Sequence, residues 1–190
     1  MVKQGQSEEF ALTEQQLQTL WGQCKEPRDQ VLIGLLSYCG MRVSEAIHLR
    51  ASWMKDEEIH IPSRMACRCW ECRKRGYWKP KSKAGIRALA VPSFLKPVLL
   101  NFLTKSPEGL TMTRQAAWYR VQILAKIARV PRIFPHALRA TAATILASKG
   151  FTAVELCAYF GWARLEMGDH YINVSAGRIG ARDKIRQIWG

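Results

Sequence analysis

Pro135 and Gly150 bracket the run PHALRATAATILASKG, and this punctuation specifies one helix more firmly than any other stretch of the chain. Proline suits a first helical turn, where its missing N–H has no partner to lose, and glycine readily makes the left-handed turn that ends a helix. Leu138, Ala142 and Ile145 form an apolar stripe at helical spacing, and His136 and Arg139, three apart, project together from the opposite face. Directly afterwards Thr152-Ala-Val-Glu155 reads as a capping box that opens a second, shorter helix, which Gly161 ends just before Trp162. Tyr171 follows nine residues later. A histidine, an arginine, an indole donor and a phenol are the side chains needed to hold and attack a phosphodiester.

The rest of the chain reads as further helices around one small sheet. Leu12-Thr13-Glu-Gln-Gln16-Leu17 is a hydrophobic staple around a capping box, opening a helix with Leu17, Leu20, Trp21 and Cys24 on one face. A helix from Arg28 to Cys39 follows the break at Pro27, and another spans about Ser44 to Ala51. Glu57 to Ile61 and Arg87 to Val91 alternate as strands do, and residues 93–104 and 113–130 are helical in pattern. The expected class is mainly α with a small antiparallel β-sheet, an α+β arrangement in one domain over residues 12–175. Residues 1–11 are expected to be flexible, 63–80 a Cys-rich insertion, and 176–190 a tail ending in a short amphipathic stretch with Ile185, Ile188 and Trp189.

A formal charge of +14 in 190 residues, spread from Arg28 to Arg186, favours a broad basic surface facing a polyanion. The sequence lacks an apolar run of the ~20 residues that cross a bilayer, and the stretch MVKQGQSEEF has no signal-peptide core, so a soluble, intracellular protein is expected, in cytoplasm or nucleoid. Reduced cysteines fit that compartment, with Cys24, Cys39 and Cys157 in apolar helical patterns.

Upstream, Gly40-Met-Arg42-Val-Ser-Glu45-Ala-Ile-His-Leu places an arginine after an apolar helix and a carboxylate three residues on. GMRVSEAIHL resembles the first arginine box of the tyrosine recombinases, the phage integrase family, and PHALR resembles their His-x-x-Arg box. The spacing from Trp162 to Tyr171 is similar to that of members with Trp in place of a second His. The resemblance covers roughly residues 10 to 175 and implies the tyrosine recombinase catalytic-domain fold. It also implies cleavage and rejoining of double-stranded DNA through a 3′-phosphotyrosyl bond, by a tetramer on DNA, with no cofactor required for catalysis. Residue 12 already lies where the family's catalytic domain begins, so the usual N-terminal DNA-clamping domain is expected to be lacking, the chain being either a fragment or a natural short form.

On that reading Tyr171 is the nucleophile, and Arg42 and Arg139 fork onto the non-bridging phosphate oxygens, a geometry lysine cannot reproduce. His136 contacts the phosphate or accepts the tyrosine proton, Trp162 donates its indole N–H, and Glu45 orients Arg42. The segment Ser82-Lys83-Ala-Gly85-Ile-Arg87 is similar to the family's Lys-x-Gly hairpin, which makes Lys83 the general acid for the leaving 5′ oxygen, with Lys81 as the alternative. Rival readings are a type IB topoisomerase, a telomere resolvase, and a catalytically silent DNA-binding regulator with the same fold.

Cys67-x-Cys69-x-x-Cys72, with His60 seven residues before Cys67, offers four ligands for a structural zinc, the other reading being three free thiols. The cluster lies outside the family's common pattern and is similar to Cys-rich hairpin insertions in integrase-like proteins of archaeal mobile elements and viruses.

Overall fold

The computed structural model describes residues 7–179 and residue 188. The chain opens with α1 (Glu14–Gly22), whose Thr13–Gln16 capping box forms as read, and α2 (Pro27–Ser37), which starts on its proline. Val31 to Leu36 of α2 are all buried, so this helix runs through the middle of the molecule rather than along its surface. Next come α3 (Val43–Ala46), β1 (Met54–Lys55), β2 (Glu58–His60), the hairpin β3 (Met65–Ala66) and β4 (Tyr77–Trp78), and β5 (Ala88–Ala90). The remainder is helical: α4 (Lys96–Lys105), α5 (Arg114–Ile127), α6 (Pro135–Ser148), α7 (Ala153–Phe160) and α8 (Leu165–Ile179).

The first sheet is antiparallel in the order β1-β2-β5, and the inserted hairpin β3-β4 forms a second one. Asp56 and Glu57 take positive φ (47° and 64°) between the paired residues Lys55 and Glu58. Such a two-residue turn matches the twist of its strands, and it starts β2 one residue later than the alternation suggests. The helix expected from Ser44 to Ala51 is only α3, followed by turns and a 3-10 turn at Ala51–Trp53.

Two apolar clusters meet at α6. The larger gathers α1, α2, the sheet, α4, α5 and the first turn of α6; the smaller holds Ala140, Ala143 and Ala147 of α6 with Leu156, Phe160 and Tyr171. The apolar stripe read on α6 is therefore too narrow: α2 covers one side and α8 the other, so the helix is buried nearly all round. Alanines make that close double packing possible. Of the flexible segment expected over 1–11, Glu8–Phe10 form a 3-10 turn, with the Phe10 ring 5.3 Å from that of Phe134. The backbone N–H of Leu12 donates to Thr141 Oγ1 at 2.9 Å. The tail over 176–190 lies largely outside the described residues. Among the described residues no helix is long and apolar enough to cross a membrane.

α8 packs closely on α7 at Gly168, where an added Cβ would lie 2.6 Å from the carbonyl oxygen of Ala153 and 2.7 Å from its Cα. Alanine normally stabilises a helix interior relative to glycine by ~0.5–1 kcal/mol, but here the obstacle is backbone that cannot rotate away. Gly168→Ala should therefore destabilise the fold by about 1–3 kcal/mol in denaturant titration. Gly22→Ala, with nothing within 4 Å of the new methyl, should be neutral or slightly stabilising. Equal effects at the two sites would mean that α8 does not pack as described.

Candidate active site

Glu45 is the third residue of α3 and is 1% exposed, at the base of a cleft of about 940 Å³. Its Oε2 accepts from the backbone N–H of Arg42 at 2.9 Å, closing the start of the helix, and its Oε1 accepts from Arg42 Nη1 at 2.9 Å. A second guanidinium grips the same carboxylate: Arg87 Nη1 donates to Oε1 at 3.2 Å and Nη2 to Oε2 at 3.1 Å. Burial alone would raise the Glu45 carboxyl, but the Arg87, Arg139 and Arg42 charges outweigh it and hold its pKa below the ordinary value.

The two expected phosphate ligands are held by carbonyls at helix ends. Arg42 Nη2 donates to Gly161 O at 2.9 Å. Arg139 donates through Nη1 to Gly40 O and through Nη2 to Phe160 O, which ties α6 to the ends of α2 and α7. Arg139 is buried, contrary to the outward projection read from helical spacing, because α2 and α7 close over that side of α6. Burial first, then the neighbouring Arg42, pushes its pKa down, opposed by Glu45. Arginine keeps its proton under such pressure. These bonds fix both planes before any ligand arrives.

Gly161 is in the left-handed conformation (φ 62°, ψ 47°) and ends α7 as read. Its missing Cβ would lie 2.4 Å from Ala84 O, so only glycine lets the α7 end meet the strap before β5. Trp162 follows immediately and is stacked between Phe160 (ring centroids 4.7 Å, 17°) and Tyr171 (5.1 Å, 6°). The Arg139 guanidinium carbon lies 5.0 Å from the Phe160 ring centroid and 5.7 Å from that of Trp162. Tyr171, on α8, is only 7% exposed and lines the cleft with Arg42, His136, Arg139 and Trp162. Five of the six expected catalytic side chains thus converge on one concavity.

The sixth does not. Lys83 is exposed at the start of the 3-10 turn Lys83–Gly85 and is not among the cleft-lining residues, whereas Lys79, Lys81 and Ser82 are. The N–H of Ile86 bonds Lys83 O at 3.0 Å and Gly85 packs against Pro80, curling the segment so that residues 79–82 form the wall. His136, at the first turn of α6, is exposed at the cleft surface, yet desolvation of its ring by the cleft walls first, and then Arg139, Arg114, Arg42 and Lys81, hold its pKa below the ordinary histidine value. Its ring is therefore neutral near pH 7.

Sequence reading missed three contributors. Arg87 also donates from Nε to Tyr159 O at 2.7 Å and so locks β5 to α7. Its signal was present, since Arg87, Leu89 and Val91 share one face of an alternating strand and the latter two are buried. Arg114 and Arg164 bring the cleft to six Lys and Arg side chains against the single carboxylate of Glu45. Their contribution has no local sequence signature.

Residues 96–178 match the model of the Phage integrase family, a span that includes His136, Arg139, Trp162 and Tyr171 and stops short of Arg42. The fold is similar to that of XerA recombinase (TM-score 0.73, 18% identity, 95% of this chain and 64% of that one). It is similar also to the Tn1549 transposon integrase in complex with transposon right end DNA (0.68, 17%, 95% and 66%). The catalytic domain of bacteriophage HP1 integrase superposes over nearly its whole length (0.61, 18%, 92% and 93%). The chain spans less than two thirds of the XerA and Tn1549 integrase chains. No curated protein sequence matches at a significant level. The fold is that of the tyrosine recombinase catalytic domain.

The Glu45 knot gives the stability curve an acid limb. The folded pKa lies below the unfolded value near 4.5, so its contribution is complete above that value and is lost as pH falls through the lower, folded one. Thermal melts from pH 7 down to pH 3 should show Glu45→Gln less stable than the parent at neutral pH, with the gap narrowing below about pH 4.5. A constant gap over that range would contradict a charged Glu45.

Proposed function

We propose that this chain is the catalytic domain of a site-specific DNA recombinase that cleaves and rejoins double-stranded DNA through a 3′-phosphotyrosyl intermediate. The observation that carries the reading is the convergence of Arg42, His136, Arg139, Trp162 and Tyr171 on one strongly cationic cleft. The fold shared with XerA recombinase and with a transposon integrase captured on DNA supports it.

The scissile phosphate binds between Arg42 and Arg139, whose remaining N–H groups neutralise the two non-bridging oxygens as negative charge grows at pentavalent phosphorus. Neutral His136 takes the phenolic proton as Tyr171 Oη attacks. The P–O5′ bond breaks, and the departing 5′ oxygen receives a proton from Lys81, the hairpin lysine that lines the cleft. The phosphodiester becomes a tyrosyl phosphodiester of similar energy, so a 5′-hydroxyl from another strand can reverse the step without a nucleotide cofactor or a catalytic metal. Trp162 carries the stacking that keeps the Tyr171 ring facing the arginines. Exchange between two duplexes breaks four strands, and one nucleophile per chain then implies a tetramer on paired sites.

A test of roles uses DNA with sulfur replacing the bridging 5′ oxygen. A thiolate is a far weaker base than an alkoxide and departs unprotonated. Lys81→Ala should slow cleavage of ordinary DNA by ~10²–10⁴-fold and recover most of that loss on the sulfur substrate. Tyr171→Phe should stay inactive on both. Rescue of Lys83→Ala instead would give the acid role to Lys83, and rescue of neither variant would contradict a hairpin general acid.

A further inference from the structure

We propose that His48, Cys67, Cys69 and Cys72 bind a structural zinc ion that clamps the β3–β4 hairpin onto α3. The nitrogen and three sulfurs lie within 4.8 Å of one another although they come from two separate segments of chain. His48 Nε2 is 3.3 Å from Cys69 Sγ and 3.4 Å from Cys72 Sγ. A tetrahedral zinc with bonds of ~2.3 Å to sulfur and ~2.0 Å to nitrogen sets those N···S edges at roughly 3.5 Å, so small adjustments admit the ion.

The histidine is prepared for the role. Its Nδ1 lies 2.7 Å from Ser44 O, a carbonyl that can only accept, so Nδ1 carries the proton and the Nε2 lone pair faces the sulfurs. Trp78 fixes the ring from one side, stacked at 5.6 Å and 25°, while its own Nε1 donates to Ser44 Oγ at 3.0 Å. The thiols are prepared by their loop: the N–H groups of Cys72 and Arg73 both bond Cys69 O, at 3.0 and 2.8 Å, and Cys67 N bonds Gly76 O at 3.0 Å. His48, Cys67 and Cys72 are buried and Cys69 is half-buried, leaving no open coordination position for a substrate. Three thiolates and an imidazole in a closed site select zinc over harder cations.

His60, the fourth ligand expected from sequence, is not part of this group. It lies on β2 with Nε2 3.7 Å from Glu58 Oε2, because β2 pairs with β5 and carries it away from the inserted hairpin. His48, nineteen residues before Cys67, takes its place through the turn after α3. The consequence reaches the cleft: α3 carries Ser44 and Glu45 just ahead of His48 in the turn that follows it, and β4 leads straight into the Lys79–Ser82 wall. The ion fixes the distance between those two walls. The ion acts on folding, whether or not the cleft cleaves DNA.

Protein purified under reducing conditions without chelator should contain about one zinc per chain, and stripped protein should take up Co²⁺ with the absorption of a tetrahedral, thiolate-rich site. Cys69→Ser, at the least buried ligand, and His48→Ala should each lose metal or bind it at least ~10-fold more weakly. His60→Ala should keep a full equivalent and the unchanged cobalt spectrum. Parent protein that holds no zinc and gives no cobalt spectrum would overturn the site, as would a Cys69–Cys72 disulfide in freshly isolated protein. Loss of metal in His60→Ala with retention in His48→Ala would overturn the ligand assignment.

Discussion

A single buried carboxylate holds the cleft together. Glu45 accepts from Arg42 and Arg87 at once, and its charge lowers the repulsion that would otherwise drive those guanidiniums and the nearby Arg139 apart. A buried ion pair contributes little to net stability compared with a well-packed apolar core, because desolvation offsets much of the Coulomb gain. Its value here is positional. Each arginine fastens a different helix end or strand, so the knot joins α3, β5, α6 and the end of α7 at one point. Removing the carboxylate would leave three neighbouring cations held only by their separate backbone carbonyls, with no negative charge between them.

The knot works because α6 is packed on both sides. Leu138 on one side belongs to the main core, while Ala140, Ala143 and Ala147 admit the smaller cluster that includes Phe160 and Tyr171. The nucleophile candidate is thereby held by apolar packing and ring stacking, and Arg42 and Arg139, the candidate phosphate ligands, by hydrogen bonds to carbonyls. Apolar contacts set where the Tyr171 ring lies; the charged groups set what field it meets. Gly161 and Gly168 let backbone approach backbone at two places where a side chain would not fit.

Local chemistry was legible in the sequence and long-range closure was not. The Thr13 and Thr152 boxes and the Gly161 stop follow from rules that operate within a few residues, and all three appear as read. Arg139 was misjudged because helical spacing names one apolar face, whereas an alanine-rich helix can bury two. The helix bearing Tyr171 has no proline start or capping box to announce it, and only its packing on α6 and α7 makes it evident. His60 seemed the natural partner of the cysteines by sequence distance, yet strand pairing takes it elsewhere and the turn after α3 supplies His48. Lys81 and Lys83 differ by two residues in sequence, and the curl of a 3-10 turn decides which of them reaches the cleft.

The central claim is that Tyr171, activated by this arginine cluster, forms a covalent bond to DNA. A pool of duplexes of randomised sequence, each nicked next to a potential cleavage point so that the short 5′-hydroxyl fragment diffuses away, traps any such intermediate. The account predicts protein–DNA adducts that survive denaturation, with peptide mass mapping placing a 3′-phosphate ester on Tyr171. Adducts mapped to Tyr159 or Tyr119, or none formed by folded protein that binds the same duplexes, would contradict it.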